Sequence, residues 1–215
     1  MVQMRLNHIE SDGISSVLKW ITRYDNSKRS IIMIEIKDTA VSFNTVYNSD
    51  YAPRDEKFKS ANCLILPYKN FREGVDYCFS EYAQEVLQYS KDNPIDGINM
   101  DIAATDENYK VIEMHSILLQ IGIFLASSVL LPMTVNLVSN YVYDKIKKLH
   151  QKEDDVQVRV TFISVYADGT SKALNYDGPA SQFETIASGV KLLANGTSKT
   201  DESRKDKEST AIKDN

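Results

Sequence analysis

At 215 residues, with 42% apolar and 26% charged side chains, the chain is long enough to bury one good-sized core or two small ones. A net charge of −5 gives no basic footprint for a phosphate backbone, so nucleic acid is not the expected partner. Two cysteines, Cys63 and Cys78, are too few for a disulfide framework or a zinc site and read as reduced core thiols. His8, His115 and His150 have no metal-ligand spacing, so neither a metal nor a cofactor is expected.

The first residues, "MVQMRLNHIESDG", have no apolar core region and no small-residue cleavage site, so no secretory signal is read and the cytoplasm is the expected compartment. In "DGISSVLKWITRY", Ile14, Val17, Leu18 and Ile21 fall at helical spacing and predict a short amphipathic helix over Asp12–Tyr24. "SIIMIEIK" (Ser30–Lys37) reads as a strand, "AVSFNTVY" as a second strand pairing with it, and Asn48–Lys59 as a polar loop. "NCLILPY" (Asn62–Tyr68) is a further strand closed by Pro67. "GVDYCFSEYAQEVLQYSKDN" predicts one helix, with Val75, Phe79, Tyr82, Ala83, Val86 and Leu87 as its stripe and Asn93-Pro94 as its end. "GINMDIAAT" and "YKVIEMHS" read as a strand pair or as a strand leading onward. Residues 1–115 are thus expected to form a mixed α/β unit within an overall α+β chain.

Ile117–Val138, "ILLQIGIFLASSVLLPMTVNLV", is twenty-two residues without a charged side chain. Its hydropathy lies in the range where a window of about 19 residues reports a transmembrane helix. A helix apolar all round must be enclosed on every side, so residues 116–150 are expected to be one long apolar helix that inserts into a membrane or a partner. Leu118, Gln120, Phe124, Leu125, Ser127, Leu130, Thr134 and Asn136 are its candidate interface residues. Lys145, Lys147, Lys148 and Lys152 flank its C-terminal end and favour a cytoplasmic location for the C-terminal residues. Glu113, Gln120, Ser127, Thr134, Tyr141 and Lys148 recur every seven residues; on an unbroken helix they form a polar seam that packs on the protein's own α+β unit or joins copies in a homo-oligomer.

Beyond it, Val156, Val158, Val160 and Phe162 alternate with polar neighbours before Asp168-Gly169, which supplies the positive φ of a hairpin turn. Ser181 and Glu184 make a capping box for a helix with Phe183, Ile186, Ala187, Val190 and Leu193 on its apolar face, so 155–194 is expected to be a ββα unit. Residues 195–215 are too polar to bury a core and read as a disordered tail.

The one constellation with chemical content is Glu35 and Lys37, which project from the same face of a strand whose other face is Ile32, Ile34 and Ile36. "IEIK" resembles the (D/E)-x-K half of restriction-endonuclease-like nucleases. That resemblance implies a metal-holding Glu35, a water-orienting Lys37 and a second acid upstream, for which only Asp25 or Asp12 is available, with Glu10 as the helix-borne acid; the strand that should carry the upstream acid is missing, since Asp25 sits in the polar turn "YDNSKR". The sequence therefore predicts a non-enzymatic interaction or effector protein that associates with a membrane or a protein partner through its apolar helix, cytoplasmic and attached to or inserted in the inner face of a membrane. The alternative is a small metal-dependent nuclease with a degenerate E-x-K motif.

Overall fold

The computed structural model describes residues 6–9, 17–24, 30–112, 118–149 and 156–195. Strand β1 (Leu6–Ile9) pairs antiparallel with β2 (Val17–Tyr24), which pairs in turn with β3 (Ser30–Thr39). The helix expected over Asp12–Tyr24 is thus a strand from Val17 onward, where Val17, Trp20, Ile21, Thr22 and Tyr24 supply the β-branched and aromatic side chains that suit a pleated surface. The strand expected after β3 is instead helix α1 (Phe43–Tyr47). Ser42 accepts from the Thr45 N–H at 3.2 Å while Thr45 Oγ1 accepts from the Ser42 N–H at 2.8 Å, a reciprocal cap that decides the local conformation. Asp55 caps the short helix α2 (Glu56–Lys59) from one side only, its Oδ1 accepting from the Phe58 N–H at 2.8 Å, and the segment expected as a polar loop buries Tyr51, Ala52 and Phe58.

After β4 (Cys63–Leu66), the single helix expected from Gly74 divides in two. Tyr68–Arg72 (β5) and Val75–Ser80 (β6) form a hairpin turned at Gly74, whose φ of +77° suits glycine, and only Ala83–Asp92 (α3) is helical. β7 (Met100–Ile102) pairs parallel with β4, and β8 (Val111–Ile112) pairs parallel with β6, so the two are not partners of one another.

The apolar run is the main correction. Leu118–Ser127 is a strand, β9; Ser128–Leu130 turns; and Leu131–Leu149 is helix α4, with Pro132 in its first turn, where a missing N–H costs nothing. No helix among the described residues is long and apolar enough to cross a membrane, so the transmembrane helix is not present. The reason the run lacks a polar face is that β9 is covered on both sides. Leu119, Ile121, Phe124 and Ala126 face one core, and Ile123 and Leu125 the other. Gly122, at φ +145°, sits where the pairing register shifts, which is why the inward residues change from odd to even numbers.

α4 leads into β10 (Gln157–Val165), parallel to β9, and the Asp168-Gly169 turn returns the chain as β11 (Ser171–Pro179). Gly169 has φ +85°, and Asp168 Oδ1 accepts from the Thr170 N–H at 2.9 Å. A short 3-10 segment, Ala180–Thr185, precedes helix α5 (Ile186–Asn195); Pro179, not Ser181, occupies its N-cap. The β10–β11–α5 order matches the expected ββα unit, while residues 196–215 lie outside the described residues.

The fold is α+β. Its main sheet runs β1-β2-β3-β11-β10-β9-β4-β7, so strands from residues 1–115 and 155–194 share one sheet, and β5-β6-β8 form a smaller one. α3, α4 and α5 cover one face over Ile32, Ile34, Ile36, Phe124, Phe162 and Leu174. α1, α2 and the loop between them cover part of the other, over Leu64, Leu66, Leu125, Ile163 and Ala173.

Two substitutions within the apolar run separate a buried strand from a lipid-facing helix. Leu125, fully buried, should cost about 2–5 kcal/mol as Leu125→Ala. Val129, 80% exposed in the turn, should change stability by no more than about 0.5 kcal/mol as Val129→Lys. Urea midpoints of the two variants check this; a span would not distinguish them in that direction.

Candidate functional site

Three adjacent strands turn their second faces to a surface that the short helices cover only at one end. Because side chains alternate, the isoleucines of β3 leave Met33, Glu35 and Lys37 on this side; β11 contributes Ala173, Asn175 and Asp177, and β10 contributes Arg159, Thr161 and Ile163. Towards Ile163 and Ala173 the surface is apolar and covered. Towards Arg159 it becomes a polar ledge.

Register sets the ledge in rows. Thr161 stands opposite Asn175, and Asn175 opposite Glu35. Thr161 Oγ1 donates to Asn175 Oδ1 at 2.8 Å, Asn175 Nδ2 donates to Glu35 Oε2 at 3.0 Å, and Lys37 Nζ lies 4.0 Å from the same oxygen. One row along, Arg159 donates from Nε and Nη2 to Asp177 Oδ2 at 2.9 and 2.7 Å. Gln120 on β9 is in register with Arg159, and its side-chain amide is hydrogen-bonded with the Tyr68 hydroxyl. The cations project further than the acids that hold them. Side-chain exposure is 48% for Lys37 against 25% for Glu35, and 50% for Arg159 against 28% for Asp177.

Glu35 and Lys37 therefore do share a face, as the strand period requires. Glu35 is held by Asn175 and Lys37, and among the described residues no three His, Cys, Asp or Glu side chains converge as metal ligands. The upstream acids considered for a nuclease, Glu10, Asp12 and Asp25, lie outside the described residues. The interface residues expected on one helix are dispersed. Leu118, Gln120, Phe124, Leu125 and Ser127 are on β9, with Phe124 stacked on Phe162 at 5.5 Å between ring centroids. Leu130 is in the turn; Thr134 is fully buried on α4 with its hydroxyl donating to the Leu130 carbonyl at 3.1 Å; Asn136 is exposed. The seven-residue seam breaks at the turn, so Gln120 and Ser127 do not line up with Thr134, Tyr141 and Lys148. Glu113 lies outside the described residues.

Tyr68, Arg159, Thr161, Asn175 and Asp177 were not singled out by sequence. Arg159 and Thr161, like Asn175 and Asp177, are alternate positions opposite an apolar face, a signal that each points away from the core but not that the pairs meet. A second polar cluster ties α3 to α4. Lys145 Nζ donates to both Glu85 oxygens at 2.6 and 2.9 Å, the Tyr141 hydroxyl donates to Glu85 at 3.0 Å, and the Tyr89 hydroxyl donates to Asp144 at 3.1 Å beside an open groove of about 310 Å³. These bonds fasten two helices.

Burial governs the titrating groups. It pushes the Cys63 thiol up to about 12, against a small opposing effect of the Thr134 hydroxyl, so Cys63 is no nucleophile. It also raises Tyr68 to about 12, with the Gln120 amide and Arg159 acting the other way, and Tyr82 to about 12, with Glu81 adding to the effect. Comparison with protein-family models, curated proteins and solved structures finds no match for this chain.

Two consequences can be measured. Iodoacetamide at mildly alkaline pH should leave Cys63 unmodified in the native protein and alkylate it in urea. Tyr68 and Tyr82 ionise near 10 when unfolded but near 12 when folded, so the unfolded chain loses these protons first. Stability is then full below pH 10 and falls as pH rises from 10 to about 12, a loss to be tracked by thermal melts beside tyrosinate absorbance.

Proposed function

We propose that this chain is a non-enzymatic binding protein that docks an acidic segment of a protein partner on the ledge. The observation that carries this reading is the arrangement of charge in two cross-strand rows: Lys37 and Arg159 reach outward, while Glu35 and Asp177 stay recessed and hold them in place. Side chains already fixed by intramolecular hydrogen bonds lose little further conformational entropy on binding, and residues on strands hold their geometry better than residues on loops. The outermost groups are cationic, so the complementary surface is acidic. Nucleic acid would meet an overall charge of −5 around this small basic feature.

The ledge replaces the apolar run as the contact surface, because that run is enclosed by strands and helices. A nuclease would need carboxylates free to converge on a metal, and Glu35 is tied to Asn175 and Lys37.

Fluorescence anisotropy of a labelled oligo-glutamate peptide tests the reading. Binding should weaken with salt, and Lys37→Gln with Arg159→Gln should reduce affinity about tenfold, equivalent to about 1.4 kcal/mol. Lys57→Gln, exposed on α2, should leave it unchanged. Equal affinity in the double variant, or tighter binding of an oligonucleotide than of the peptide, would overturn the proposal. Metal-dependent cleavage of that oligonucleotide would restore the nuclease alternative.

A further inference from the structure

The two outward cations of the ledge stand at the ends of a diagonal that the strand register fixes. Lys37 on β3 shares its row with Ala173 and Ile163, while Arg159 on β10 shares its row with Asp177 and Met33. The rows are four residues apart along the strands, and the cations are two strands apart across them, with β11 between. At about 3.4 Å per residue and about 4.8 Å per strand, their backbones lie about 16 Å apart. Midway along the diagonal is the row of Glu35, Asn175 and Thr161, half-buried and joined by hydrogen bonds of 3.0 and 2.8 Å. The surface thus presents a cation, a recessed polar row and a second cation in order.

We propose that the ledge takes an extended five-residue segment with acids at its first and fifth positions and a neutral polar residue at its third, a specificity that rests on the acid-docking reading of the same surface. In an extended chain alternate side chains share a face, so the first, third and fifth residues point at the sheet and the outer two are about 13 Å apart. The long side chains of glutamate, lysine and arginine close the remaining distance. An apolar third residue would strip water from the polar row without replacing its hydrogen bonds, and an acidic one would meet Glu35. Adjacent acids reach only one cation. A helix matches the same span only with acids about eleven positions apart, and a segment of that length is marginal as a helix before it binds.

Two labelled peptides of one composition, Ser-Glu-Ser-Asn-Ser-Glu-Ser and Ser-Glu-Glu-Ser-Asn-Ser-Ser, are titrated against the full chain by fluorescence anisotropy at low and moderate salt. Their charge is equal, so a difference between them reports spacing. The spaced peptide should bind about threefold more tightly, because it engages both cations where the other engages one. That advantage should vanish in Lys37→Gln and in Arg159→Gln, each of which leaves a single cation. Thermal melts check that both variants fold, and the comparison on the unmutated chain decides the matter if one does not. Leucine in place of the central asparagine should weaken the spaced peptide severalfold. Equal affinity of the two peptides for the unmutated chain would overturn the spacing and leave the acid-docking reading standing, whereas binding of neither at any salt would overturn both. An advantage retained in a folded variant, or tighter binding of an alanine-rich helix with glutamates about eleven positions apart, would also overturn the proposal.

Discussion

Everything in this fold depends on β9 being buried from both sides. It lies between β10 and β4, parallel to the first and antiparallel to the second, and its side chains fill a helical layer on one face and a layer of short helices and loop on the other. A strand in that position cannot carry an alternating pattern, because it has no solvent face to mark. β4 obeys the same constraint over four residues, with Cys63 and Ile65 in one core and Leu64 and Leu66 in the other.

The same constraint explains which elements were legible. The β10–β11 hairpin was readable because one face of β10 is polar near Arg159 and Thr161 and because Asp168-Gly169 encodes its turn within four residues. β3 and β4 were readable from local composition alone. β9 was not, since strand, turn and helix are all apolar there; what separates them is Gly122, the Ser127-Ser128 pair and Pro132, and a fixed hydropathy window averages over all of them. β6 and α3 were merged for a related reason. Val75, Phe79, Tyr82 and Val86 fit a helical stripe by spacing, but the hairpin partner that claims Val75–Ser80 is β5, whose influence a helical pattern cannot register. α1 was missed because four residues, Ser42 to Thr45, outweigh the β-character of the run that contains them.

The ledge was half legible. Placing Glu35 and Lys37 on one face needed only the strand period, while their true companions, Asn175 and Thr161, are brought up by strands more than a hundred residues later. The lateral neighbour of a strand is a topological fact, and a polar residue acquires its role from that neighbour. The change along this face, from Ile163 and Ala173 under the short helices to Arg159 and Asp177 beyond them, also lets one sheet support a core and present charged groups without a separate domain.

The parallel pairing of β9 with β10 also has a cost during synthesis. β9 leaves the ribosome before the partner strand that will cover one of its edges, because α4 and the connection to Val165 must be made in between. At about 5–20 residues per second, the apolar stretch waits for seconds without that partner. In that interval Leu118–Ser127 lacks the neighbour that covers one of its edges in the finished sheet, so the order of synthesis leaves the most apolar strand waiting for its parallel partner.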